Sequence, residues 1–309
     1  MLDAPKFPPG ATGTSTRIRA LAIDRFGTIH VAVSTNDATL PVSAQGSPPN
    51  RGTYDAYIAR FSENPPPPPP ATVPPPAPGP VPAVASVVNG ASFASGGPVA
   101  AGSIVSLFGT LLAGGLASAS STPLPTTLGG TSVTINGKPA PLFFVSATQI
   151  NARAPWESQP GQATAIMTSG DKVSAAFQFT VAAAAPGTFA VGSNRAVVQN
   201  QDFSINNTDK PAAAGSFIVA YLTGGGAVDN AVATGAPNPS SPLSRVVASP
   251  SATIGGQPAD VLFLGLVPGF VGLLQANLKV PQLASGDYPL VITIGTARSN
   301  APLITVSGN

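Results

Sequence analysis

The 309-residue chain has no cysteine, a single histidine and few charged side chains. Without cysteine there can be no disulfide, no thiolate-bound zinc and no thiol catalysis. With His30 as the only imidazole, a paired-histidine metal site is excluded, and a Ser-His-Asp triad would have to use that residue. Charged residues make up 8% of the chain, against about 25% in ordinary globular domains. We therefore predict a protein that is not an enzyme and uses no cofactor and no metal.

The few charges are also dispersed. There are 14 basic and 12 acidic residues, for a net charge of +2, and no Lys/Arg cluster. A phosphate-binding footprint is absent, so nucleic acid is excluded as a partner. The longest apolar stretch, Val261–Leu274, is interrupted by Pro268 and three glycines. It is shorter than the roughly 18 to 20 residues of a membrane-spanning helix, so no transmembrane segment is expected.

The N-terminus carries no recognisable export signal. Residues 1–5 lack the basic and apolar regions of a signal peptide. Two interpretations stay open at this point: a cytosolic protein of unusual composition, or a C-terminal fragment of a longer exported protein.

Residues 102–281 repeat one pattern. The segment 102–105 recurs as 215–218, 134–140 as 253–259, and 149–151 as 275–277. The order is kept while the offset grows from 113 residues (102 to 215) to 126 (149 to 275). This indicates duplication of a module of roughly a hundred residues, the size of a β-sandwich.

Proline and glycine, 36 and 33 residues, favour short strands and turns over long helices. Each copy contains about seven strand-length runs bounded by turn residues. The predicted fold is all-β, with two tandem Ig-like β-sandwich modules at 84–183 and 184–309 that fold independently. A proline-rich linker at 63–83 should form a polyproline II spacer. A ligand for a proline-binding domain is the alternative interpretation of that linker.

Residues 1–62 form a separate short β unit. Runs at 18–22 and 29–33 flank a turn at Asp24–Gly27, which is a hairpin signal, and 54–61 adds a third strand. The segments 22–35 and 55–60, with Pro41 between them, resemble the bacterial β-propeller repeat often labelled SBBP. The resemblance covers one blade, whose open edges imply upstream propeller blades as partners.

The duplicated region resembles the uncharacterised C-terminal domain family of Solibacter-type acidobacterial secreted proteins. The motifs that carry this resemblance are Asn89–Phe93, Gly102–Gly109, Leu124–Leu142, Gln149–Asn151, Tyr221–Gly224, Gly265–Asn277 and Pro281–Pro289. The resemblance covers residues 84–309. It implies an extracellular or cell-envelope tandem of Ig/TIG-like modules with no assigned activity.

The candidate ligand-binding residues are Trp156 and two amide pairs, Gln149 with Asn151 and Gln275 with Asn277. The amides are expected to bond backbone groups at a strand bend. The functional alternative is a sugar-contacting surface on which an aromatic ring stacks. Trp156 could equally seal the interface between the modules.

Two loops offer oxygen ligands for calcium, at 206–209 and 229–230, although turn residues are the simpler interpretation. Asn206 also begins a glycosylation sequon. The leading hypothesis is a non-enzymatic extracellular tail for adhesion, spacing or anchoring. A carbohydrate-binding module that contacts cell-surface polysaccharide is the alternative, and a cap for an upstream propeller is a third. The extra loops of the second copy, 224–242 and 262–274, are the predicted place of any specific function.

Overall fold

The computed structural model describes residues 81–230 and 232–308, together with the backbone of three strands within residues 16–61. Every regular element in these ranges is a strand, which confirms the predicted all-β class. No helix in this part of the chain is long and apolar enough to cross a membrane. Most of the predicted linker, up to residue 80, lies outside the described residues, as does the side chain of His30.

The N-terminal strands are β1 (Thr16–Ile23), β2 (Ile29–Thr35) and β3 (Asp55–Phe61). They form an antiparallel sheet in the order β1-β2-β3. Leu21 pairs with Val31 and Val33 with Tyr57. The hairpin and the third strand predicted from the sequence are confirmed, while the propeller-blade identity of the unit stays a prediction.

The first module is a sandwich of two sheets. Its strands are β4 (Ala83–Asn89), β5 (Val99–Ala100), β6 (Ile104–Thr110), β7 (Ala117–Ser118), β8 (Thr127–Leu128), β9 (Thr131–Ile135), β10 (Lys138–Pro139), β11 (Leu142–Val145), β12 (Gln149–Arg153), β13 (Gly161–Ser169), β14 (Lys172–Val173) and β15 (Phe177–Ala182). One sheet has the order β4-β6-β12-β11-β7, and the other β10-β9-β13-β15-β5 with β8 and β14 attached.

Alternation along the strands builds the core of this module. In β9, Val133 and Ile135 are buried while Ser132 and Thr134 are half-buried on the opposite face. In β12, Ile150 and Ala152 point into the same core as Leu107 of β6. Each fully buried aliphatic side chain of this kind contributes about 1.5 to 3 kcal/mol. Burial of these alternate positions therefore fixes the pairing register of the sheets.

The second module contains the remaining strands. They are β16 (Gly187–Thr188), β17 (Ala190–Val191), β18 (Arg195–Ala196), β19 (Val198–Asn200), β20 (Ala212–Ala213), β21 (Phe217–Thr223), β22 (Pro250–Ile254), β23 (Gln257–Leu266), β24 (Leu274–Lys279), β25 (Gly286–Ile294), β26 (Ala297–Arg298) and β27 (Leu303–Ser307). The main path is β16-β21-β24-β23-β22-β25-β27-β18-β17. Strand β23 pairs with β22 through 257–259 and with β24 from Asp260 onward, so it turns the corner between the two layers.

The sequence duplication is also a structural one. Antiparallel pairing of β6 with β12 recurs as β21 with β24, and β9 with β13 recurs as β22 with β25. Parallel pairing of β5 with β15 recurs as β20 with β27. The predicted division at 183/184 falls in the connection between β15 and β16.

An ion pair ties three strands of the second module. Arg195 Nη1 lies 2.8 Å from Asp287 Oδ2, and the Thr305 hydroxyl donates to Asp287 Oδ1 at 2.7 Å. The Thr305 hydrogen bond, followed by that from Arg195, holds the pKa of Asp287 below its ordinary value of 3.8. Because the lowered pKa belongs to the folded state, the pair stabilises the fold above about pH 3.8.

We expect Asp287→Asn to lower the free energy of unfolding slightly at neutral pH, since the carboxylate is partly exposed and screened. The difference from the wild type should vanish as the pH falls through the lowered pKa, where the carboxylate is protonated in both states. Denaturant unfolding at neutral and at acidic pH measures this. Asp260→Asn, at an exposed position, is the matched control. A difference that persists in acid would show that the ion pair is not its origin.

Candidate functional site

A third apolar cluster, separate from the two sandwich cores, draws residues from both modules. Ala91 and Ile104 come from the first module, with Phe143 packed against them. The second module supplies Phe189, Val197, Val219, Tyr221, Val267 and Leu273. We call this contact region the joint. Burial here raises the pKa of the Tyr221 phenol well above its ordinary range. Ile104 of β6 and Val219 and Tyr221 of β21 are thus buried in a cluster that contains residues of both modules.

One buried hydroxyl bonds both modules at the joint. The Ile104 N–H donates to Thr223 Oγ1 at 2.9 Å, and the same hydroxyl donates to the Gly272 carbonyl at 2.8 Å. Thr223 has no exposed surface. Strand β6 of the first module is therefore linked through a single side chain to β21 and to the loop before β24.

Asn89 fixes the connection between the modules. Its Nδ2 donates to the Ala185 carbonyl at 2.8 Å, while its Oδ1 accepts from the Ala91 and Ser92 amides at 2.9 and 3.2 Å. Gly224 passes so close that a Cβ there would lie 2.0 Å from the Ala185 oxygen. This close backbone approach accounts for the glycine at position 224, at the start of the predicted loop 224–242.

The extra loop of the second copy at 224–242 docks on the first module. The Leu124 N–H donates to the Gly235 carbonyl at 2.9 Å. Thr234 Oγ1 accepts from the backbone N–H of Trp156 at 3.1 Å and donates to Glu157 Oε2 at 3.0 Å. One of the insertions that make the two copies unequal thus adds contacts between the modules.

The second extra segment, 262–274, is braced against the first by Asn238. The Asn238 N–H donates to the Phe270 carbonyl at 2.8 Å, and Nδ2 donates to the Val267 carbonyl at 2.9 Å. The Gly269 N–H returns a bond to the Asn238 carbonyl at 2.9 Å. The two loops therefore support one another as one structure over the joint.

Arg153, at the end of β12, is fully buried at the joint. Its guanidinium lies 4.8 Å from the ring centroid of Trp156. Nε donates to the Gly102 carbonyl at 3.3 Å and Nη1 to the Ala233 carbonyl at 3.5 Å. Desolvation lowers the pKa of Arg153 to about 10, opposed by the charge of Glu157. Sequence reasoning missed this residue, although alternation along 149–153 places it on the same face as Gln149 and Asn151.

Trp156 is half-buried and its ring is enclosed by the fold. Gly102, with a φ of +72°, lies so close that a Cβ there would be 2.3 Å from Cζ3 of the indole. With Arg153 also on the ring, this geometry favours the interpretation in which Trp156 seals the interface between the modules. A stacked sugar would have to displace one of these neighbours.

Within each amide pair, the glutamine side chain bonds to the asparagine side chain and not to the backbone, contrary to expectation. In β12, Gln149 Nε2 donates to Asn151 Oδ1 at 2.9 Å, and Ser106 Oγ donates to the same oxygen at 2.9 Å. Only 8% of Gln149 and 5% of Asn151 is exposed. In β24 the bond from Gln275 to Asn277 is longer, at 3.4 Å, and both residues are half-buried. Burial therefore favours a structural role for the first pair.

We expect Asn151→Ala to destabilise the protein by about 1 to 3 kcal/mol, because it leaves two buried donors without their acceptor. The matched variant Asn277→Ala should cost less than about 1 kcal/mol, since its partner is half-exposed to water. Chemical unfolding of both variants measures the difference. Equal costs would contradict the structural role of the buried pair.

The oxygens of the two calcium candidates accept hydrogen bonds from backbone amides, within a turn at Asn207 and beside a β-bridge at Asp229. Asn207 Oδ1 accepts from the Asp209 and Lys210 amides at 2.8 Å each. Asp229 Oδ1 accepts from the Arg245 amide at 2.7 Å. Asn206, the sequon residue, is buried and its amide donates to Asn200 and to the Thr305 carbonyl. Within residues 81–230 and 232–308, no three His, Cys, Asp or Glu side chains group together as metal ligands.

Comparison with known proteins adds distant structural similarities. No family model and no curated protein matches the chain. Among solved structures, a Bacteroides ovatus SGBP-B from a mixed-linkage glucan utilization locus, in complex with a heptasaccharide, is 12% identical with a TM-score of 0.31 over 100% of this chain and 70% of that one. Domains 5–6 of the S-layer protein SbsC are 12% identical, with a TM-score of 0.24 over 74% and 99%. The titin Ig tandem A164–A165 is 9% identical, with a TM-score of 0.19 over 68% and 90%. Similarity this distant says nothing about function.

Proposed function

We propose that the chain is a non-enzymatic extracellular or cell-surface tail in which two β-sandwiches act as one stiff spacer or anchor. The observation that carries this proposal is the joint. A flexible pair of domains would leave the outer faces of β6 and β21 to water, whereas here Ile104, Val219 and Tyr221 are buried between the modules. Fixed relative orientation is what a spacer needs and what independent beads on a string lack.

The residues at the joint also support a scaffold over a catalyst. Three buried polar side chains of the joint donate to backbone carbonyls, namely Asn89 through Nδ2, Thr223 through Oγ1 and Asn238 through Nδ2. The low charge of the chain and its predicted polyproline linker fit an exported, extended protein. Antibodies against the tandem should therefore label intact cells of the source organism. Signal only after permeabilisation would overturn the extracellular part of the proposal.

Because the chain has no cysteine, introduced cysteines can be labelled specifically, and this allows a direct test of the stiffness of the tandem. Spin labels on Gln178→Cys in the first module and Thr296→Cys in the second, both exposed positions, report the distance between modules. Labels on Gln178→Cys and Lys138→Cys, both in the first module, give the width expected within one rigid body. If the tandem is a stiff spacer, the distance between the two spin labels should be as narrowly distributed for the intermodule pair as for the pair within the first module. A broad distribution for the intermodule pair alone would overturn the proposed role.

A carbohydrate-binding module is the alternative, and one surface favours it. Asn277 pairs with Phe263, and Gln275 with Gly265, so two half-buried amides share the outer face of β23 and β24 with an aromatic ring. The Arg245 guanidinium lies 4.8 Å from the centroid of that ring, so the two amides are the groups available to a sugar. Polysaccharide pull-down with Asn277→Ala tests this, with Gln178→Ala as an exposed-amide control on the first module. Loss of binding in Asn277→Ala alone supports the alternative, and no binding by the wild type removes it.

A further inference from the structure

The joint leaves three hydrogen-bond donors without partners on one short segment. Six buried side-chain polar atoms in the described residues have no hydrogen-bond partner, and three of them belong to residues 153–158. These are Arg153 Nη2, Trp156 Nε1 and Ser158 Oγ. Guanidinium and indole nitrogens can only donate, so what the segment lacks is an acceptor.

Among the residues that the structure describes, no carboxylate lies within hydrogen-bonding distance of the Arg153 guanidinium. Arg153 is fully buried, and its two bonded partners are neutral carbonyls at 3.3 and 3.5 Å. Glu157 is the carboxylate whose charge acts on Arg153, but it is exposed and accepts its hydrogen bond from Thr234. Buried charges in proteins are normally paired, because an isolated charge in a low-dielectric interior is costly. A water molecule could satisfy the donors but would leave the charge uncompensated.

We propose that the joint binds a small monovalent anion, chloride in its simplest form, through Arg153 Nη2, Trp156 Nε1 and Ser158 Oγ. The ion supplies both the acceptor and the countercharge, next to the 233–235 segment, whose Ala233 carbonyl accepts from Arg153 Nη1 and whose Thr234 hydroxyl accepts from the Trp156 backbone N–H. Local opening of that segment suffices to admit an ion of this size. The inference depends on the geometry of the joint and not on the proposed role as a spacer.

Trp156 reports on this site directly because it is the only tryptophan in the chain. Sodium chloride, bromide and iodide are titrated into the full chain at constant ionic strength, balanced with gluconate, whose anion is too large for the site. We expect a saturable change in Trp156 emission with each halide, together with a rise in the unfolding temperature as chloride replaces gluconate. An equal response to chloride and gluconate would overturn the proposal and leave a buried water in place of the anion.

Two variants and one control assign the response to the named atoms. Arg153→Met should abolish the saturable change. Arg245→Met is the control for loss of an arginine over an aromatic ring, since that exposed guanidinium also lies 4.8 Å from a ring centroid, that of Phe263, and is not part of the 153–158 segment. Ser158→Ala keeps the fold testable if Arg153→Met does not fold, and it should raise the half-saturating chloride concentration about tenfold or more. Quenching that is linear in halide, or half-saturation unchanged in Ser158→Ala, would overturn the site.

Discussion

Gly102→Ala should destabilise the protein by about 3 to 5 kcal/mol, although the substitution adds a methyl group and deletes no side chain. The added methyl group would meet three atoms of the Trp156 six-membered ring at 2.3 to 2.5 Å. The ring would have to leave its position, at a cost that approaches deletion of a large aromatic side chain, about 3 to 5 kcal/mol. The left-handed backbone, with a φ of +72°, accounts for roughly 1 to 2 kcal/mol of this total as strain.

The duplication supplies the control for this experiment. Gly215 is the equivalent residue of the second copy, with a φ of +80°, and a Cβ there meets only the end of the flexible Gln282 side chain at 2.9 Å. Gly215→Ala should therefore cost only the backbone strain, about 1 to 2 kcal/mol. Guanidinium unfolding of both variants separates the two contributions. If the two substitutions cost the same, Trp156 is not held against Gly102 as described.

Thr223→Val should destabilise the protein by about 2 to 4 kcal/mol. The substitution keeps the shape of the side chain but removes the hydroxyl, so the Ile104 N–H and the Gly272 carbonyl both lose their partner. Each unsatisfied buried group costs about 1 to 3 kcal/mol. Because these groups lie on different modules, the loss should weaken the joint and not one sandwich alone.

Thr110 is the matched position, since it is the Thr223 equivalent in the first copy and is exposed. Thr110→Val should change the free energy of unfolding by no more than about 0.5 kcal/mol. Equilibrium unfolding compares the two valines directly. A small effect at both positions would mean that the Thr223 hydroxyl carries little of the contact between modules.

The sequence predicts the sandwiches well because their strands obey a simple period. Val133 and Ile135 in β9, and their counterparts in β22, alternate with polar residues, and each run ends at a turn. Burial of one face then fixes both the strand and its register. The repeat offset likewise predicts equivalent strands in the two copies, and the pairing of β6 with β12 and of β21 with β24 confirms it.

The joint escapes such reasoning because most of it is built from loops. Thr234, Gly235 and Asn238 follow no period, and their partners lie far away along the chain. The burial of Arg153 is equally hard to predict from the sequence, since an arginine at the end of a strand normally faces solvent. The expectation that the extra loops 224–242 and 262–274 carry the special role of the second copy stays a prediction. Their structural part is to hold the modules together.

The sequence alone predicts two halves that fold independently, and the joint changes that expectation. Buried side chains from both modules, the Thr223 bridge and the Asn89 contact all have to break before either sandwich can separate from the other. Contacts of this kind couple the unfolding of neighbouring domains.

Hydrogen exchange followed by mass spectrometry, on the full chain in increasing guanidinium, tests the central claim that the tandem is one cooperative body. Peptides that cover β9 and β13 report on the first module, and peptides that cover β22 and β25 on the second. A single body predicts that both sets lose protection at the same denaturant concentration, and that Thr223→Val lowers both midpoints together. Two separate midpoints, with only one of them moved by Thr223→Val, would contradict it.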